Sequence, residues 1–289
     1  MRFVRRCVRL AALALPLVLS GCSYFIPTKR HLPVPIAPPS VQTLSTEDLI
    51  KQVNSRWDAL DTLTVTAEIT AHDRTEDYPG FRCNIILQKP KMLRVLGRYF
   101  LAKAFDMASD GSHFTLAIPT KNLVVKGSNT STDKSATEWE NLRPNFFLDA
   151  IAVRGLDPDD VYMVAPDSET IEDAAKKHLF IEPEYDLSVM RRKNDHQNLP
   201  VRSITFHRDD MLPYDQYVYD KDGVLETQIF YSNYATFSAG KYPSKIVIKL
   251  PQQGIEFDLA VEQVYENVPL PAGEFNVEIP NGATIKELK

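Results

Sequence analysis

The sequence predicts a mainly β, α+β fold: a strongly curved antiparallel sheet or open barrel with a few helices laid against it. Three observations predict it. Leu63, Val65, Ala67, Ile69 and Ala71 alternate with Thr64, Thr66, Glu68 and Thr70, which gives one apolar and one polar face, as in a half-buried strand. Segments of this kind recur along most of the chain, about six before a helical interruption and about six after it. Asp110-Gly111 and Asp222-Gly223 stand between such segments as tight hairpin signals.

The elements follow in order. Ser45 is a good N-cap, with Glu47 and Asp48 in the first turn, where the helix dipole favours negative charge. Leu49, Val53, Trp57 and Leu60 then repeat at helical spacing and make one apolar stripe. After the first strand, Phe81, Cys83, Ile85 and Leu87 alternate, and Lys89-Pro90 turns the chain. Strands are expected at residues 92–96, 103–109, 114–118 and 123–125. Trp139, Leu142, Phe146, Ala150 and Ile151 are spaced as a helical face, with Pro144 marking a kink or boundary, so residues 136–153 are expected to hold one or two helices. Strands are expected again from Val161, at 177–182, 201–208, 214–220, 225–232, 246–250 and 256–265, and finally at 276–279. The stripe of the first helix needs an apolar partner, so that helix is expected to cover one side of the sheet.

The start of the chain reads as an export signal. Arg2, Arg5, Arg6 and Arg9 precede an apolar run from Leu10 to Leu19, which is too short to span a bilayer as a helix. Leu19-Ser20-Gly21-Cys22 resembles the lipobox of bacterial lipoproteins. That resemblance implies cleavage before Cys22 and acylation of Cys22 with fatty acid such as palmitate. Ser23, rather than an aspartate, leans towards the outer membrane by the enterobacterial sorting rule. Residues 1–21 are therefore expected to be a signal peptide. Residues 22–44, with Pro27, Pro33, Pro35, Pro38 and Pro39, are expected to form an extended lipidated tether, and residues 45–289 a half-barrel domain.

Loss of the signal with its four arginines leaves 29 basic against 38 acidic residues, a net charge of −9. This argues against nucleic acid, which selects a basic surface. It also argues against electrostatic attachment to anionic lipid, so the acyl chains must supply the membrane affinity, at ~0.8 kcal/mol per buried CH₂. Cys7 leaves with the signal and Cys22 takes the lipid. Cys83 is then alone, reads as a core residue, and no internal disulfide is possible.

No chemistry-bearing motif emerges. There is no G-x-S-x-G, P-loop, G-x-G-x-x-G or C-x-x-C. His31, His72, His113, His178, His196 and His207 form no spacing that suits zinc, so no metal and no cofactor is expected. The acidic groups Asp157/Asp159/Asp160 and Asp209/Asp210 sit beside Pro158 and Pro213 and read as solvated turns rather than a glycosidase pair or a calcium loop. What the sequence offers instead is apolar surface. Leu63, Val65, Ile69, Phe81, Ile85, Phe114 and Leu116 line one face of the expected sheet, which either packs as an ordinary core or stays open as a cavity suited to acyl chains.

Several short motifs resemble the LolA/LolB superfamily of periplasmic lipoprotein carriers and outer-membrane lipoprotein receptors. They are the helix Leu49-Ile50-Lys51-Gln52-Val53-Asn54-Ser55-Arg56-Trp57, the stretch Gln88-Lys89-Pro90-Lys91-Met92-Leu93-Arg94, and Ala108-Ser109-Asp110-Gly111 followed by Phe114-Thr115-Leu116 and Pro119. Tyr242-Pro243-Ser244-Lys245-Ile246 and Leu270-Pro271-Ala272-Gly273-Glu274-Phe275 also fit, so the pattern covers roughly residues 45–285. The resemblance implies an unclosed antiparallel β-barrel with a helical lid and an apolar cavity. It implies a non-enzymatic role in binding acyl chains of lipoproteins or lipids for transfer to the membrane, with a periplasmic carrier protein as a partner. A lipidated chain is closer to the receptor than to the soluble carrier. A sensor or assembly lipoprotein of the same fold, binding a protein, is the alternative. Arg98, Tyr99, Phe100, Leu101 and Lys103 fall where the receptors carry an exposed leucine. They have the chemistry of a membrane-insertion loop, or else continue a strand or tuck under the lid helix.

Overall fold

A computed structural model of the chain describes residues 35–36, 40–100, 102–130, 138–172 and 178–288. The signal peptide, Cys22, most of the tether and Leu101 lie outside the described residues. The chain divides into two compact units, residues 1–37 with 170–181, and residues 38–169 with 182–289. In the first unit Ile36 forms a parallel bridge with Phe180. The Ile36 N–H donates to the Leu179 carbonyl at 2.7 Å, and its carbonyl accepts from the Ile181 N–H at 2.9 Å.

The second unit holds both α-helices described, α1 (Thr46–Asp58) and α2 (Pro144–Ile151). Six strands come before α2: β1 (Thr62–His72), β2 (Asp77–Gln88), β3 (Met92–Tyr99), β4 (Ala102–Ser109), β5 (His113–Ile118) and β6 (Leu123–Ser128). Eight follow it: β7 (Val161–Glu172), β8 (Leu179–Asn194), β9 (Gln197–His207), β10 (Pro213–Tyr219), β11 (Leu225–Phe237), β12 (Gly240–Leu250), β13 (Ile255–Glu266) and β14 (Thr284–Leu288). Residues of β7 and β8 fall in both units. The strands form one 14-stranded sheet in the order β14-β6-β5-β4-β3-β2-β1-β13-β12-β11-β10-β9-β8-β7. This sheet is curved and unclosed. The pairings among β1–β6 and β8–β13 are antiparallel, and β14 runs parallel to β6.

Local chemistry explains the elements. Ser45 Oγ accepts the Asp48 N–H at 3.1 Å, so α1 starts with its orphan donor satisfied. The β4–β5 turn uses Asp110, whose Oδ1 accepts the N–H groups of Ser112 and His113, and Gly111 at φ +94°, where a side chain would be strained. Pro144 sits in the first turn of α2, where its missing N–H has no helical partner to lose.

Two apolar clusters lie in the second unit. The larger gathers residues of β1 to β6, β10 to β13 and α2. The smaller joins Leu49 and Val53 of α1 to Tyr185, Leu187 and Val189 of β8 and to Ile204 and Phe206 of β9. Helix α1 therefore covers the β8–β9 part of the sheet, while Trp57 near its end reaches the larger cluster. The segment before α1 is also hydrogen-bonded: the Gln42 N–H donates to the Arg208 carbonyl at 2.7 Å, and the Leu44 N–H donates to Tyr185 Oη at 3.2 Å.

Three details differ from the sequence expectation. Residues 276–279 form no strand. They sit between Gly273, at φ +80°, and Pro280, and the carbonyl of Glu274 is taken by Arg94 Nη1 at 2.6 Å. The final strand is β14 instead. The strand expected at 177–182 runs on to Asn194, because Tyr185, Leu187 and Val189 keep the inward alternation. The strands on either side of Phe100 run further than expected and meet as the closed end of a hairpin, with Arg98 opposite Lys103 and Tyr99 opposite Ala102.

Candidate functional site

The register places the seven apolar candidates together. Leu63, Val65 and Ile69 of β1 pair with Leu87, Ile85 and Phe81 of β2, so their side chains share a face. Phe114 and Leu116 of β5 reach the same face through the ladder Ile85–Val95–Met107–Leu116. Leu63, Val65, Ile69, Ile85, Phe114 and Leu116 are all buried in the larger cluster, and Phe81 packs against it partly buried. Cys83 lies on the same face, between Ala67 and Gly97, and is buried and free, and burial pushes its thiol up, which keeps it protonated and inert.

One short helix lies on this face. Phe146, Phe147, Leu148 and Ile151 of α2 belong to the same cluster, and the Phe147 ring sits 5.3 Å from that of Phe257 on β13. Both ends of α2 are fastened by side chains. At its start, the buried Arg143 guanidinium lies 5.1 Å over the Phe114 ring. At its other end, where backbone carbonyls lack helical partners, Gln216 Nε2 and Tyr231 Oη donate to the Asp149 carbonyl at 2.7 and 3.2 Å. Tyr242 Oη donates to the Ile151 carbonyl at 2.7 Å. Burial pushes the Tyr231 and Tyr242 phenols up, so both stay protonated as donors. Gln216, Tyr231 and Tyr242 come from β10, β11 and β12. Sequence reasoning missed them, although polar residues on inward positions of apolar strands were the available signal.

The β3–β4 hairpin presents a different surface. Phe100, 87 % exposed and at φ +53°, forms its tip, and its ring stands edge-on to the half-exposed Tyr99 at 4.9 Å. Arg98 is exposed beside them. Lys103 is held by carboxylates, 3.1 Å from Glu278 and 3.6 Å from Asp106.

The acidic candidates lie in turns with local partners. Asp160 is paired with Arg191 at 3.1 Å, and Asp157 Oδ1 accepts the Asp159 N–H. Asp210 accepts from the Leu212 N–H and from Tyr214 Oη.

No family model matches the chain, and no curated protein sequence matches it. Solved structures do. A DUF1329 family protein from Desulfovibrio piger is 14% identical and superposes with a TM-score of 0.53, over 79% of this chain and 95% of that one. A LolA superfamily protein from Nitrosomonas europaea is 13% identical, with a TM-score of 0.51 over 81% of this chain and 99% of that one. An outer membrane lipoprotein-sorting protein domain from Vibrio parahaemolyticus is 12% identical, with a TM-score of 0.51 over 79% and 95%. These superpositions show that the chain shares the overall fold of these proteins, a LolA superfamily protein and a lipoprotein-sorting domain among them.

Proposed function

We propose that this chain is a non-enzymatic lipoprotein, anchored by acylated Cys22 in the outer membrane, that receives the acyl chains of lipoproteins or lipids and passes them to the bilayer. The observation that carries this reading is the inner face itself. An apolar ladder runs from β6 to β11 and is covered by a helix of only eight residues. Such a cover can leave as a unit, and the surface it uncovers suits hydrocarbon. The likeness to a lipoprotein-sorting domain supports the same class of ligand. The exposed tip at Tyr99 and Phe100 supplies an insertion point. With Leu101 it enters the acyl layer while Arg98 meets phosphate headgroups, and Lys103 turns from its carboxylates towards the interface. Transfer then exchanges one apolar environment for another, and a periplasmic carrier is the natural donor.

Native mass spectrometry of the gently purified chain is expected to find bound lipid. Leu116→Phe adds bulk at the centre of the face without adding charge and is expected to lower lipid occupancy while the protein stays folded. Unchanged occupancy in folded Leu116→Phe, or no lipid in the wild-type chain under any expression condition, would dispose of the acyl-binding role.

A further inference from the structure

A second set of groups lies away from the apolar face, at the end of β9. His207 closes that strand, opposite Glu184 of β8. Glu182 lies two residues before Glu184 on β8, and Asp209 lies in the turn that leaves β9. Ligand atoms of Glu182, His207 and Asp209 all lie within 4.8 Å of one another. From these residues we infer that the chain holds a first-row divalent metal ion, with zinc the best fit, between Glu182, His207 and Asp209.

The imidazole carries the argument. His207 is only 9 % exposed. Its Nδ1 is buried and makes no hydrogen bond, although Glu182 Oε1 stands 2.7 Å away, off the direction that an N–H would need. A buried ring nitrogen without a hydrogen bond calls for an explanation, and an ion seated between it and the neighbouring carboxylate supplies one. The ring cannot easily turn away. It stacks on Tyr214 at 3.4 Å with an interplanar angle of 5°, and Tyr214 is itself held by Asp210 through its hydroxyl at 3.1 Å. The other ring nitrogen, Nε2, lies 3.3 Å from Glu184 Oε1. A carboxylate behind a ligating histidine fixes its tautomer and orientation in metal sites.

The donor chemistry selects the metal. One imidazole nitrogen and two carboxylates suit zinc and its first-row neighbours. Calcium and magnesium take all-oxygen shells. Bonds of about 2.0–2.2 Å in a tetrahedral shell set the donors roughly 3.3 Å apart, so Nδ1 and the Glu182 oxygen part slightly while Asp209 moves in. Asp209 is the exposed member and can move without disturbing the core. Three protein ligands leave a fourth position for water or a further ligand.

The place of the site gives it a consequence. Gln42 Nε2 donates to the Asp209 carbonyl at 3.0 Å, and Arg208 Nε donates to the Gln42 carbonyl at 3.0 Å. The metal therefore fastens β8 to the turn on which the segment leading into α1 is docked. It acts as a clamp at the foot of the domain, independent of the acyl-binding face.

The test uses the full, untagged chain in detergent after treatment with a chelator. Calorimetric titration with zinc is expected to give one saturable site per chain and a higher Tm, and calcium at the same concentration is expected to give neither. Cobalt in place of zinc is expected to give a visible absorption band. Asp209→Asn and Glu182→Gln are each expected to weaken zinc binding by about tenfold or more while the metal-free Tm stays near wild type. Asp222→Asn, in a distant turn, is expected to leave zinc binding unchanged. His207→Ala removes a packed ring and can unfold the site, so the exposed Asp209 variant decides the matter. Only weak multi-site uptake of zinc, or tight binding that survives both Asp209→Asn and Glu182→Gln, overturns the proposal.

Discussion

Phe100 carries two unfavourable features at once. It is the most exposed of the large apolar side chains described, and it holds a left-handed backbone conformation at φ +53° that bulky residues rarely adopt. Neither contributes to folding, which is why the residue reads as functional. Phe100→Gly separates the two roles. Glycine takes positive φ without strain, so the variant is expected to keep or raise the Tm, by the equivalent of about 0.5–1 kcal/mol. The chain without its acyl groups is also expected to lose vesicle association in a flotation assay. A folded Phe100→Gly protein that still floats with vesicles would remove the insertion role. Glu226 makes the opposite kind of case. Burial raises its carboxyl pKa, with Asp149 and Asp220 adding to the shift and Arg143 and Arg154 opposing it. A carboxyl with a raised folded pKa costs stability once pH exceeds its unfolded value, and the full cost is present above the folded value. Glu226→Gln is therefore expected to raise the Tm near neutral pH. The gain should fade as pH falls towards the ordinary carboxyl range, near 4.5. A gain that is the same at every pH would assign the effect to packing.

Among the elements, α2 is the one whose attachments bear on function. Its apolar side chains hold it down, while Gln216, Tyr231 and Tyr242 hold its carbonyl end. The double variant Tyr231→Phe, Tyr242→Phe leaves the Ile151 carbonyl without its donor and the Asp149 carbonyl with one fewer. Buried groups without partners cost about 1–3 kcal/mol. Hydrogen exchange is expected to speed up in residues 144–152 more than in β1, and lipid occupancy is expected to rise. Equal acceleration in both elements would mean that α2 does not move separately from the sheet. The presence of this helix was legible in the spacing of Phe146, Ala150 and Ile151, and its start in Pro144. Its fastenings were not, because a tyrosine on a strand carries no sign of which carbonyl it will meet. The alternation of β1 and the turn at Asp110-Gly111 were equally legible, being local. The last strand was misplaced because residues 276–279 alternate acceptably, yet a long-range bond from Arg94 to Glu274 decides where they lie. His207 and Asp209 are near neighbours in sequence, but their nearness to Glu182 depends on β8 pairing with β9, which spacing within one segment does not reveal.

At the scale of the whole molecule, attachment and topology matter most. On the proposed loss of residues 1–21, the remaining 29 basic and 38 acidic residues give little attraction to anionic lipid, and the proposed anchor at Cys22 has to supply the membrane affinity. Cys22→Ser is expected to leave an uncleaved precursor that takes up no labelled palmitate. A Cys22→Ser protein that still incorporates palmitate and fractionates as before would refute the lipid anchor. The sheet adds a property of its own. Its central ladder joins β1 to β13, with Leu63 opposite Glu266, and its edge strand β14 pairs with β6. Within each half the strands otherwise pair in chain order, so these two ladders are the ones that join segments far apart in sequence. Such long-range pairings form slowly, because the loops that bring them together must close first. The seam between the two halves therefore closes only after β13 has been made, however early the hairpins within each half have formed.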